Sequence, residues 1–219
     1  MLSGFNAVGS NTTSTFTIRA KDAASNTSDR QFTITVLAPV TQSYTSSGTF
    51  SVPSGLTSVD VLVVAGGGGG GADNGGGGGG GGLIYRPGFP VTPGSTITVT
   101  VGDGGPTPGQ NNYTNDIRGS DSVFGTLTAK GGGGAGNHIA QTTGQNGGSG
   151  GGAGSDPGGG LHPGGEGIQP TQSGDSGAYG FGHDGGQSAN PGTGPVYAGG
   201  GGGGAGAVGD NGSNSPGGP

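Results

Sequence analysis

Three stretches alternate apolar and polar residues with the period of two that marks a strand with one covered face. In 14–20 (STFTIRA) the residues Phe16, Ile18 and Ala20 share a side, in 31–36 (QFTITV) Phe32, Ile34 and Val36 do, and 96–101 (TITVTV) alternates as cleanly. A fourth stretch, 59–65 (VDVLVVA), is apolar nearly throughout, which predicts a strand covered on both faces. Shorter runs at 49–52 (TFSV) and 122–129 (SVFGTLTA) predict two more strands. No stretch carries a helical apolar period, so the scaffold reads as all-β with essentially no α-helix.

Composition changes this picture after residue 65. The chain has 219 residues, 63 of them Gly, yet only Gly4, Gly9, Gly48 and Gly55 lie before residue 61. The predicted organisation is therefore a β segment over 1–38, a linker over 39–43 entered through Pro39, and a glycine-rich domain over 44–219. Glycine runs occupy 66–82, 131–136, 147–165 and 199–206, and Ala72-Asp73-Asn74 breaks the first as a turn triplet.

A chain without side chains adopts the left-handed polyproline-II shape, three residues per turn and no internal hydrogen bonds, so its N–H and C=O groups point at neighbours. A collagen triple helix needs Gly at every third position, and GGGGGGADNGGGGGGGG has no such register. Ordering a residue costs roughly 1 to 2 kcal/mol, and more for Gly, while a net hydrogen bond returns about 1 kcal/mol, so a single glycine helix is unstable. Several such helices bonded side by side, with Cα–H···O contacts between bare backbones, can hold if strands with an apolar core anchor their ends. The predicted fold is a β-sandwich carrying an inserted polyglycine-II bundle.

Charge and chemistry narrow the function classes. Six Lys and Arg against twelve Asp and Glu give a net charge of -6, with the basic residues scattered, so a nucleic-acid surface is not expected. Without Cys there are neither disulfides nor thiolate metal sites. The start, MLSGFNAVGS, has no basic stretch leading into an apolar core, and no run approaches a membrane span, so a soluble chain that is not exported by a signal peptide is expected.

Glycine-rich sequence also generates motifs by chance. Gly66, Gly68 and Gly71 fit a dinucleotide fingerprint but no helix follows. Gly147 to Gly151 fit G-x-S-x-G without a strand-turn-helix setting, and 151–156 (GGAGSD) starts a calcium nonapeptide with no tandem copy. His138, His162 and His183 lack metal-ligand spacing, and no catalytic constellation, metal site or cofactor site is read. The inserts 106–118, 137–146, 161–172 and 175–184 hold most aromatic and charged residues of this half, and such loops on a rigid scaffold commonly carry binding. Tyr113, Arg118, His138, Tyr179, Phe181, His183 and Asp184 are the candidate receptor-binding residues. The competing reading is that Tyr113, Tyr179, Phe181 and Tyr197 merely cover the ends of the bundle.

Two resemblances add to this. FTIRAKDAASNTSDRQFTITV resembles the last two strands of bacterial Ig-like or cadherin-like modules, with Ser25 standing where the pattern has Gly. The succession FSVPSG, VDVLVVAGGGGGG, VTPGSTITVTVGDGG, SDSVFGTLTAKGGGG and AGGGGGGAGAVG resembles the glycine-rich domain of bacteriophage tail-fibre and appendage proteins. It is similar also to the polyglycine-II tip adhesins of T-even-type phages and to the glycine-rich region of anaplastic-lymphoma-kinase-type receptors. The resemblance implies a non-enzymatic virion protein, assembled in the host cytoplasm and carried on a tail fibre or appendage. It would dock other virion proteins through its N-terminal β segment and attach to a host surface glycan or outer-membrane protein. Neither nucleic-acid binding nor membrane insertion is implied, and a homo-oligomer is left open. The alternatives are a structural spacer or head decoration protein without a receptor, and an ice-binding polyglycine-II protein.

Overall fold

The computed structural model describes residues 12–36, 40–106, 108, 117–138, 141–156, 158, 160–189 and 197–213. The chain divides into two units, Met1–Ser43 and Tyr44–Pro219. The first is an antiparallel hairpin of β1 (Thr12–Lys21) and β2 (Thr27–Val36). Its polar side pairs Thr13 with Thr35 and Arg19 with Asp29, the latter at 2.7 Å. On its apolar side Phe16 stacks on Phe32 with ring centroids 5.6 Å apart. The tight turn forms with Ser25 itself at φ 70. Asp22 stabilises it by accepting the Ala24 and Asn26 N–H groups at 2.9 and 2.8 Å, local bonding that lets an ordinary residue hold a glycine conformation.

The second unit opens with β3 (Gly48–Ser51) and β4 (Ser58–Val64), followed by β5 (Leu83–Pro90), β6 (Thr96–Thr100), β7 (Ser122–Phe124) and β8 (Leu127–Ala129). A four-residue helix α1 (Asp175–Ala178) and a short strand β9 (Gly180–Phe181) come late in the chain. They form two sheets, β3-β6-β7-β8 and β4-β5-β9. The sheets face each other through Val61, Val63, Ile84, Phe89, Leu127 and Ala129, with Ile97, Phe124 and Tyr179 at the margin. This is the expected sandwich, and the protein is all-β apart from α1.

Three expectations need correction. The run 122–129 is a hairpin and not one strand, because Gly125 at φ 58 turns the chain between β7 and β8. Strand β4 is covered on one face only: Val61 and Val63 point inward while Leu62 is 63% and Val64 53% exposed. The third is β5, which the sequence did not mark as a strand because Pro87, Gly88 and Pro90 lie in it. Pro87 is tolerated because β9 pairs only with Leu83 and Ile84, leaving the far half of β5 an edge, and a register shift between Val59 and Val61 absorbs the distortion.

Beyond the sandwich the chain runs back and forth with few packed side chains, Ile117 being a large apolar one buried there. Segment 147–155 is its centre: all nine residues are buried, and each N–H donates to another part of the chain. Residues 149, 152 and 155 donate to the carbonyls of Gly80, Gly77 and Asn74; residues 150 and 153 to His183 and Gly186; residues 151 and 154 to Gln145 and Thr142. Its carbonyls at 149 and 152 accept from Gly133 and Gly136, those at 150 and 153 from Gly203 and Gly200, and that at 151 from Gly165. Partners recur every third residue, the period of a polyproline-II helix, and six segments surround this one. Among the described glycines of these runs none has positive φ, as that helix requires.

Glycine is demanded by the approach distance. A Cβ on Gly151 would fall on the carbonyl of Gly134, and one on Gly68 on that of Gly133. The Cα hydrogens thus point at carbonyl oxygens, the Cα–H···O contacts expected between bare backbones. The predicted run 66–82 is two antiparallel segments, 65–71 and 75–82, turned by Asp73 and Asn74 at φ 44, and 147–165 is likewise two segments, 147–155 and 160–168. Stretches poor in glycine, such as 117–121 and 183–189, join the same array, with the side chains of Ile117, Ser188 and Ala189 buried in it and others exposed.

Candidate functional site

The register of these bonds fixes which residues share an end of the bundle. Ala65, Gly82 and Lys130 are bonded to one another beside the strands, and Gly148 bonds to Gly131 there. A segment length away, about 25 Å at 3.1 Å per residue, Ser155 bonds to Asn74, Gly154 to Thr142, Ser188 to His162 and Ala189 to Ala198. The sandwich therefore closes one end. The turn at 72–74 lies at the other, with residues 137–138, 141–142, 155–156 and 160–162 and the chain around Ala189 and Ala198.

At this free end, side chains interact with each other. His138 Nδ1 lies 2.8 Å from the Ser155 carbonyl, and its ring meets Tyr197 edge-on with centroids 5.3 Å apart. Tyr197 remains 41% exposed. Next to them His162 bridges two returns, its Nε2 2.9 Å from Asp156 Oδ2 and its Nδ1 2.9 Å from Thr142 Oγ1. The Asp156 carboxylate accepts at Nε2 and the Thr142 hydroxyl bonds Nδ1, so both ring nitrogens are satisfied. The bridge joins residue 142 to residues 156 and 162. Local sequence gave no signal for Tyr197, Asp156, Thr142 or His162 as a group, since only the array's register brings them together.

The predicted residues are split between places. His138 is at the free end, Arg118 is exposed on segment 117–121, and Tyr113 lies outside the described residues. Tyr179 and Phe181 are at the sandwich end and not on a projecting loop. Tyr179 packs on the core margin beneath Arg86, whose guanidinium sits 4.5 Å from the ring centroid. Arg86 Nε also donates to Asp175 Oδ2 at 2.6 Å, and that carboxylate holds the guanidinium above its ordinary value. Tyr179 thus packs against the side-chain core of the sandwich. Phe181, 47% exposed, extends β9 beside Leu83 on the outward side of the sheet.

His183 and Asp184 lie on the surface of the array near the sandwich end. The His183 carbonyl accepts the Gly150 N–H, and Asp184 Oδ1 accepts that of Gly167 at 2.7 Å. Asp184 also borders a shallow groove with Gln187, Val208, Asp210 and Asn211. Among the described residues no three His, Asp or Glu side chains converge as a metal site, and no helix is long and apolar enough to cross a membrane.

Residue 169 is a structural joint in the interior that the sequence did not mark. Gln169, fully buried, accepts the Lys130 N–H at 2.7 Å and donates to the carbonyls of Ser176 and Thr128 at 2.8 and 3.2 Å. It ties the last strand of the sandwich to the first residue of segment 130–137. Residues 43–219 match the profile of a family described as a glycine-rich domain. No curated protein and no solved structure matches the chain.

Proposed function

The chain belongs to the glycine-rich domain family, and on that premise we propose that it is a virion structural protein of a bacteriophage, a tail-fibre or appendage component that attaches to the host cell surface. The observation that supports this reading is the placement of His138 and Tyr197, with the Asp156, His162 and Thr142 bridge, at the end of the bundle opposite the sandwich. A stiff backbone array anchored at one end and carrying aromatic and polar side chains at the other is suited to holding a contact surface away from its mount. The resemblance of the cassette to phage glycine-rich domains supplies the setting. Tyr and His side chains fit a glycan ring or the polar loops of an outer-membrane protein.

The test is binding of the labelled full chain to intact bacteria of the phage's host range. His138→Ala combined with Tyr197→Ala should abolish binding with an unchanged melting temperature, whereas Tyr179→Ala should lower the melting temperature and leave binding intact. Binding that survives the double variant, or that depends on Tyr179 alone, would overturn the reading.

A further inference from the structure

The array has one face made of segments 65–71, 75–82 and 198–204, and its hydrogen bonding is incomplete in a regular way. Segment 75–82 sends the N–H groups of Gly76, Gly79 and Gly82 to Gly136, Gly133 and Lys130, and those of Gly77 and Gly80 to Gly200 and Gly203. Its carbonyls at 76, 79 and 82 accept from segment 65–71, and those at 77 and 80 from Gly152 and Ser149. The third row, Gly75, Gly78 and Gly81, has no backbone partner for either group among the described residues. In a helix of three residues per turn that row points 120° from the other two, which is outward.

The neighbours complete the pattern. In 65–71 the carbonyls of Gly68 and Gly71 and the N–H groups of Gly67 and Gly70 have no backbone partner among the described residues, and in 198–204 neither do the N–H groups of Gly199 and Gly202. By the same threefold geometry, the Gly68 and Gly71 carbonyls and the N–H row of 75–82 converge on one empty position above the face. The Gly78 and Gly81 carbonyls converge with the N–H groups of Gly199 and Gly202 on the next. Each empty position is thus lined by a row of acceptors on one side and a row of donors on the other, a counterpart of an open sheet edge.

Glycine is also kept here where the chain itself has no need of it. Among the described residues a Cβ on Gly70 would meet nothing within 4 Å, and one on Gly67 only the Gly79 carbonyl at 3.7 Å. Glycine at such positions costs roughly 0.5 to 1 kcal/mol relative to alanine.

We infer that this face docks a second copy of the chain, turned end over end, so that the two bare faces pair by backbone hydrogen bonds. The donor and acceptor geometry selects this occupant. Turning a copy end over end sets its N–H rows opposite the first copy's C=O rows at every position, whereas a copy lying parallel sets like rows against each other. With 207–212 included, the face is four segments wide and about 25 Å long. At the roughly 5 Å spacing of hydrogen-bonded backbones it offers on the order of 500 Å² per copy, and the pair reaches the roughly 1,000 Å² of a specific interface.

The test is the solution mass of the full chain by sedimentation over a wide concentration range, for the wild type and for Gly70→Lys and Gly67→Lys. Both lysines project into space that no described residue of the same chain fills. A wild-type mass twice that of the monomer, falling twofold in a lysine variant that keeps the wild-type melting temperature, is the expected result. A wild type that stays monomeric at every concentration, or a dimer that persists in a folded lysine variant, overturns the inference. Thermal hysteresis from a monomer would assign the face to ice and overturn it as well.

Discussion

In the hairpin of β1 and β2, side chains meet as patterned strands lead one to expect, with Phe16 on Phe32 and threonines laddered on the other side. Every residue of the two strands is nevertheless exposed except Val36, which is half-buried. In segment 147–155 backbone meets backbone with almost no side chains between, and all nine residues are buried. The difference lies in the number of hydrogen-bonded neighbours, one for each hairpin strand and six for the segment. Hydrophobic pattern marks a face that could be covered. Covering it takes neighbours, and removing side chains lets a backbone collect more of them than any strand can.

Gly151→Ala puts the largest strain on this comparison, because its Cβ has no place beside the Gly134 carbonyl. It should cost more than about 4 kcal/mol or prevent folding, while Gly70→Ala, in open space, should raise stability by about 0.4 to 1 kcal/mol by restricting the unfolded chain. Thermal unfolding of the two variants checks this, and equal losses would mean that close backbone approach is not what holds the array.

A smaller effect tests the joint between side-chain core and backbone core. Gln169→Leu strands the Lys130 N–H and two carbonyls in a buried place, and should cost about 2 to 3 kcal/mol in a urea titration. A neutral result would mean that the two cores do not depend on that joint.

The smallest effect separates the regions by pH. Asp22 is held below its ordinary value, first by the Asn26 side chain and then by the Asn26 and Ala24 N–H groups. A depressed carboxylate contributes order above its unfolded value and loses it as pH falls through the folded one. The Asn26 amide should therefore lose protection from hydrogen exchange in acid, below the ordinary carboxylate range. Segment 147–155 has no titratable side chain, so the Gly151 amide should keep its protection while the array stays folded. Parallel loss at both amides would remove the distinction.

What could be read from the sequence follows the same division. Strands with side chains on one face, β1, β2 and β6, were legible, and so was the turn at Asp73 and Asn74. The hairpin of β7 and β8 was hidden because Val123, Phe124 and Leu127 read as one apolar run across Gly125. Segments 117–121 and 183–189 were hidden for a different reason: a repeat of three leaves no mark when the residues turned away from the neighbours are free to vary. Of the free-end group of His138, Tyr197, His162, Asp156 and Thr142, only His138 was marked as a binding candidate and Tyr197 as an end cover, because its members meet through bond register between distant segments. Gln169 carried no signal at all, since a lone polar residue ahead of a Pro-Thr turn looks like surface.

The array also sets a rule for how such a chain can change length. Inserting one residue in a β-strand sends every following side chain to the opposite face, so strands count in twos. Here one added glycine in 75–82 would rotate every later donor by a third of a turn, from segment 130–137 to 200–203 or into the solvent. Only additions or losses in multiples of three keep each N–H facing its own partner. A uniform tract of glycine, which to the eye has no landmarks, thus carries a reading frame of its own, written in the direction of its backbone and checked against four neighbours at once.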